Sequence, residues 1–195
     1  MVTILYRMVV AQRRLNAEDW TVAALDAIGS HGLAGVAVEP LAAALGATKG
    51  SFYWHFANRD ALVTAALARW DRVYTEEILA QVDAEPDPAR RLRLLFVSVT
   101  ATSLAPVETN LHAAADHPLV RPAVRRAVKR RTAYLGDLFE ALGFSPEEAA
   151  RRALFAYSAY LGHLQLTVRL PAALPADHDA REAYLDTILG ALLSP

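Results

Sequence analysis

The chain has no cysteine, two methionines and no long apolar run, and each absence removes a class of protein. Without cysteine there is no disulfide framework and no thiolate metal site, so nothing in the chain asks for an oxidising compartment. No stretch approaches the ~20 apolar residues of a membrane span. The opening MVTILYRMVV is interrupted by Arg7, is followed by Gln12, Arg13 and Arg14, and lacks a small-residue cleavage pattern, so it does not read as a signal peptide. The expectation is a cytoplasmic protein with no membrane partner. An excess of one charge is missing too. Twenty lysines and arginines against 21 acids leave a formal charge of −1, which argues against coating nucleic acid by bulk electrostatics and leaves room for a local basic face.

Strand patterning is equally scarce, whereas alanine and leucine recur at spacings of three and four along 195 residues that are 54% hydrophobic. The chain therefore reads as all-α. Trp20, Ala23, Ala24, Ala27 and Ile28 mark the inward face of a first helix, with Gly29, Gly32 and Gly35 ending it. Pro40 suits the first turn of a second helix whose inward face is Leu41, Ala44 and Leu45, and Gly46 stops it. Thr48 and Asn58 are N-cap residues for the next two helices, the latter running from about Asp60 to Val82. Two prolines in AEPDP, residues 84–88, mark a boundary. Beyond it, helices are expected at about 88–104, 107–115, 118–142, 146–169 and 179–193, which suits a helical bundle.

Between the caps stands TKGSFYWHF, residues 48–56. On a helix, Phe52 and Phe56 fall on one side and Lys49, Ser51, Trp54 and His55 point elsewhere. Only part of this aromatic run can be core. A short helix, a glycine-containing turn and a second short helix have the spacing of a helix-turn-helix, in which the first helix braces and the second meets the major groove. Phe52 and Phe56 would anchor on Leu41, Leu45 and Trp20, leaving Tyr53, Trp54 and His55 to meet phosphates and base edges.

The segment VAVEPLAAALGATKGSFYWHFANRDALV, with the joint spacing of Leu41, Ala42, Gly46, Tyr53, Phe56 and Leu62, resembles the TetR-type transcriptional regulators over about residues 15–70. The resemblance implies that Lys49, Ser51, Tyr53, Trp54 and His55 face DNA, that Thr48 and the start of the recognition helix meet a phosphate, and that Arg59 stands near the DNA backbone. It also implies a homodimer on a palindromic operator of double-stranded DNA, and a ligand-responsive repressor released by a small-molecule effector. Two departures are visible. Ala37 stands where the family usually has a threonine or serine cap, and Glu39 stands where a basic or polar residue is common, so no DNA contact is assigned to the start of the second helix. Arg7, Arg13 and Arg14 would compensate as an arm on phosphate or minor groove.

The resulting expectation is an all-α chain: an N-terminal three-helix helix-turn-helix domain followed by a C-terminal helical bundle, about nine helices in total. Residues 1–15 form an N-terminal arm, 16–60 the DNA-binding domain, and 61–195 the ligand-binding and dimerisation domain, its first helix being the connector. Polar or aromatic residues on otherwise apolar helices are the candidate effector contacts: Trp70, Phe96, Thr100, Thr109, His112, Tyr157, Tyr160, His163 and Gln165. Few charges among them suggest a largely apolar ligand. Ala153, Tyr157, Leu161, Leu164, Leu189 and Leu193 are the candidate dimer interface, because helices this apolar bury more than one face.

The arginine block from Arg121 to Arg131 reads as the solvated face of a helix whose apolar stripe is Val120, Val124, Val128, Leu135, Leu138 and Leu142. His112, Asp116 and His117 are too few for a metal site. Ser158 and His163 sit on different sides of an apolar helix, so no catalytic residue and no cofactor are assigned. A helical small-molecule-binding or enzymatic module without DNA binding remains the alternative, as does a structural dimer; both predict no salt-dependent DNA affinity.

Overall fold

In a computed structural model, which describes residues 15–100 and 105–194, nine helices follow one another and no strand occurs among the described residues. They are α1 (Ala17–His31), α2 (Val38–Ala44), α3 (Lys49–Tyr53), α4, α5 (Pro88–Thr100), α6 (Ala105–Ala113), α7 (Arg121–Ala141), α8 (Pro146–Arg169) and α9 (His178–Leu193). Helix α4 runs from Arg59–Asp71 through a π-helical turn, Arg72–Glu76, into Glu77–Val82. The basic arm assigned to Arg7, Arg13 and Arg14 lies outside the described residues.

Local chemistry sets the helix starts. Asn16 and Asp19 form a reciprocal capping box on α1, satisfying two otherwise orphaned N–H groups. Asn58 Oδ1 accepts from Ala61 N at 2.9 Å to start α4, and Ser145 and Asp177 cap α8 and α9. Ala37, as expected, offers α2 no side-chain cap.

Gly29 departs from its assignment as a terminator. Helix α1 continues to His31 and ends at Gly32, with Gly29 facing α6, where an added Cβ would stand 3.1 Å from Val107 Cγ2. The missing side chain lets α6 approach the α1 backbone, and Asn110 Nδ2 then donates to the carbonyls of Ile28 at 2.8 Å and Gly29 at 3.0 Å. That contact ties the N-terminal helices to the bundle.

Two hydrophobic cores result. The first joins Trp20, Ile28, Phe52, Leu62 and Trp70 to Val107, Leu111, Val120, Ala123, Val124 and Ala127, so the first turns of α7 and part of α6 share a core with the helix-turn-helix. The second packs Leu79, Leu92, Phe96, Leu138, Phe139, Ala153, Tyr157 and Leu189 within the C-terminal helices. Among the described residues, no single helix is long and apolar enough to cross a membrane.

Candidate functional site

Helix α3 is five residues long, too short to persist in water on its own. Tertiary contacts hold it. Phe52 is fully buried, edge-on to Trp20 at 5.4 Å and stacked with Phe56 at 5.8 Å. The turn before it passes through Gly46 at φ 62°, the left-handed region that side chains resist, and Thr48 Oγ1 accepts from Ser51 N at 3.2 Å. The helical turn extends past Tyr53, because His55 N and Phe56 N both donate to the Phe52 carbonyl.

Anchoring Phe52 and Phe56 inward turns the other side chains out. Trp54 is 88% exposed and Tyr53 54% exposed; Lys49 is exposed, and Ser51 and His55 are half-buried. Such rings cost free energy in water, and apart from the edge-on contact of Tyr53 with Phe52 at 5.1 Å they stay outside the core, which marks a contact surface. Lys49 Nζ donates to Glu39 at 2.7 Å on this surface. That hydrogen bond, with the ionic attraction behind it, holds the Glu39 carboxyl below its ordinary value and raises the Lys49 ammonium. Arg59 has an internal task beside its assignment to DNA. Its Nε donates to Val36 O at 2.6 Å and its Nη2 to Leu33 O at 2.8 Å, fastening the start of α4 to the loop between α1 and α2.

The second site is in the bundle. A cavity of about 50 Å³ lies between α4, α5, α7 and α8, its wall including Tyr74, Thr75, Phe96, Arg131, Tyr157 and Tyr160. Arg131 is 8% exposed, contrary to its assignment to the solvated face. It meets Glu108, itself 2% exposed, through two hydrogen bonds: Nη1 to Oε2 at 3.1 Å and Nη2 to Oε1 at 2.8 Å. Its Nε donates to Thr75 Oγ1 at 2.9 Å and its Nη2 to the Tyr74 carbonyl at 3.3 Å. Glu108 also accepts from Trp70 Nε1 at 3.0 Å, and the guanidinium sits 5.2 Å from the Trp70 ring centroid. Burial works against the Arg131 charge, but the Glu108 carboxylate more than offsets it and keeps the guanidinium protonated.

Around this pair the polar groups are held neutral. Burial raises Tyr157 to about 12 and Tyr160 further, and lowers His112 below its ordinary value against the pull of Glu108. The His112 Nε2 lies 3.2 Å from the Tyr157 hydroxyl.

Of the nine effector candidates, Phe96, Tyr157 and Tyr160 line the cavity. Trp70 and His112 stand behind its wall in the Glu108 network. The Thr100 hydroxyl donates to its own helix at Phe96 O, and Thr109 is buried with its hydroxyl unpaired, away from the wall. His163 stacks on Tyr184 at 5.9 Å, and Gln165 faces outward. Arg131, Glu108, Tyr74 and Thr75 are the residues missed. One signal was present: Arg131 lies one heptad after Val124 and one before Leu138, on the apolar stripe itself.

The residues expected at a dimer interface differ in burial. Ala153, Tyr157, Leu164 and Leu189 are buried within the single chain, and Leu161 and Leu193 pack against the second core. Leu161 and Leu193 keep part of their surface in solvent. The apolar residues α8 leaves in solvent are its neighbours Leu154, 63% exposed, and Phe155, 56% exposed. Ser158 is also exposed there, its hydroxyl donating to Leu154 O at 2.8 Å.

Residues 21–66 match the family model described as bacterial regulatory proteins, tetR family. A comparison with curated protein sequences gave no match. Among solved structures, a transcriptional regulator from Rhodococcus sp. Rha1 superposes with a TM-score of 0.74 at 21% identity, covering 92% of this chain and 96% of its own. A TetR-family regulator from Agrobacterium tumefaciens gives 0.73 at 18% identity, covering 90% and 96%. AibR, solved in complex with isovaleryl coenzyme A and operator DNA, gives 0.67 at 23% identity, covering 92% and 98%. Residues 21–66 thus match the tetR family of bacterial regulatory proteins, and the chain as a whole has the fold of these TetR-type regulators.

Proposed function

We propose that the chain is a ligand-responsive, homodimeric transcriptional repressor that reads a palindromic operator and leaves it when a small molecule enters the bundle. Residues 16–60 act as the DNA-binding domain and 61–195 as the effector and dimerisation domain, with α4 as connector. The observation that carries this is the outward presentation of Tyr53 and Trp54 from a helix pinned by Phe52, a cost that only a binding partner offsets. Lys49, Thr48 and His55 flank those rings, and a phosphate would draw Lys49 from Glu39. Arg59 serves the interface by fixing the angle of α4.

Two recognition helices read successive major grooves only if a dimer holds them about 34–36 Å apart. The exposed Leu154 and Phe155 are the proposed dimer contacts. Support for effector control comes from two connections. Thr75 and the Tyr74 carbonyl, in the π turn of α4, accept from Arg131 at the cavity, and α6 carries both Glu108 and the Asn110 clamp on α1. A ligand that favours one arrangement of these helices shifts the spacing that DNA requires. AibR, a chain of the same fold, was solved with both an acyl-coenzyme A and operator DNA.

Selection of bound duplexes from a random DNA pool at physiological salt tests the reading. A motif with two inverted half-sites is expected, with affinity falling steeply as salt rises. A stable dimer that enriches no sequence would sink it.

A further inference from the structure

The bundle cavity has an unusual electrostatic character, since it contains a full positive charge that leaves at most one N–H donor to a ligand. Four of the five Arg131 N–H donors are engaged: two by Glu108, one by Thr75 and one by the Tyr74 carbonyl. Glu108 is engaged from both oxygens, by Arg131 and by Trp70. The pair cancels, and neither member can turn to a ligand without stranding the other in a buried site. Groups facing the pair from other helices add no charge at neutral pH. Burial holds Tyr157 and Tyr160 protonated and His112 deprotonated. Most of the remaining wall is apolar, including Ile78, Leu79, Leu95, Phe96, Val99 and Leu135.

We infer that this cavity selects an uncharged, ring-sized apolar molecule bearing one hydrogen-bonding oxygen, and rejects carboxylates and amines of the same shape. The inference rests on the effector reading above and narrows it to a ligand class. An anion would have to shed its water beside a cation already matched by the buried Glu108 carboxylate, and a cation would meet the same compensation in reverse. The oxygen has a partner in the phenol of Tyr160, since the Tyr157 hydroxyl already meets His112 Nε2. Aromatic edges and faces from Phe96, Tyr157 and Tyr160 favour a flat ring. The cavity of about 50 Å³ is smaller than the roughly 150 Å³ known to admit benzene, so a ring must push the walls apart. Those walls include Tyr74 and Thr75 in the connector, which gives occupancy a mechanical effect.

The test is a matched series on the full chain without DNA, read by calorimetry and by thermal shift: acetophenone, toluene, benzoate and benzylamine at pH 7.5. Acetophenone should bind at least about tenfold more tightly than benzoate or benzylamine, given what burying an uncompensated charge costs. Tyr160→Phe should weaken acetophenone about fivefold and leave toluene unchanged, one hydrogen bond's worth. Glu108→Gln leaves Arg131 unmatched and should reverse the order, so that benzoate binds and acetophenone falls behind. If that variant does not fold, the wild-type series with Tyr160→Phe decides the matter.

Benzoate binding as well as acetophenone to the wild type overturns the inference, as does the absence of any acetophenone binding at millimolar concentration. The two proposals fail separately. A ring compound that binds in the expected order but leaves the operator occupied removes the effector role and keeps the ligand class. An operator-binding dimer that ignores all four compounds does the opposite.

Discussion

Breaking the Arg131–Glu108 pair from one side should cost far more than removing it whole. Both groups are almost completely desolvated, so Arg131→Met leaves a buried carboxylate facing only Trp70 and a neutral His112. Removing one partner of such a pair typically costs about 3–5 kcal/mol. For a chain of this length, that is a fall in Tm of roughly 6–20 °C. The double variant Arg131→Met with Glu108→Leu removes both charges. It fills the space with apolar groups beside Trp70 and Leu135, and is expected within about 2 kcal/mol of the wild type. Thermal and urea unfolding of all four proteins, at one protein concentration so that dimerisation does not bias the comparison, closes the cycle. Single variants that lose no more than an exposed pair, about 1 kcal/mol, would refute the claim that the pair is dry and tightly coupled.

Gly46→Ala should destabilise the helix-turn-helix by about 1–2 kcal/mol because of its left-handed φ, and Gly46→Asn by less; chemical denaturation distinguishes them. Replacing Tyr53 and Trp54 by alanine should leave Tm nearly unchanged while abolishing preference among duplexes in a selection, since neither ring belongs to the core; retained preference would move the reading surface elsewhere. Stability should fall on acidification from about pH 6.5, the ordinary histidine value. The depressed folded value of His112 means that the unfolded chain binds the proton first, so its contribution is complete above that pH and lost as pH falls through the folded value. His112→Gln should flatten that part of the unfolding profile. Glu39→Gln should free Lys49, raising affinity for all duplexes and steepening the salt dependence by about one phosphate, a slope change near −0.9; unchanged binding would mean that Lys49 faces no phosphate.

The helix-turn-helix was legible because its constraints are local and redundant. Thr48 and Asn58 are caps whose partners lie three residues away, Gly46 is a turn residue, and Phe52 and Phe56 lie on one side of one turn. Each names its structural role without knowledge of the rest of the fold. Arg59 shows where that stops. Its guanidinium reaches carbonyls 23 and 26 residues back, a contact that no local pattern announces. Gly29 was misjudged for a related reason. A glycine near the end of a helical pattern reads as a stop, and only the approach of Val107, far along the chain, reveals that the missing side chain makes room.

In the bundle, periodicity told which residues are buried but not against what. The stripe on α8 is apolar, and α7 and α9 bury most of it within the chain while Leu161 stays partly exposed. Burial within a chain and burial between chains impose the same pattern on a helix, so the pattern cannot apportion them. The excess can: Leu154, one heptad before the partly exposed Leu161, and its neighbour Phe155 are apolar and left in water. Arg131 illustrates the converse. A cation inside an arginine-rich block was averaged with its neighbours as solvated, although its phase on α7 is that of Val124 and Leu138. Phase is a stronger constraint than composition, because a helix fixes where a side chain points before chemistry decides whether that place is tolerable. A charge on a core phase therefore demands a partner, and the only acid of α6, Glu108, stands on a stretch otherwise buried with Val107, Thr109 and Leu111. Two charges, each out of place on its own helix, are together the most informative pair in the C-terminal sequence.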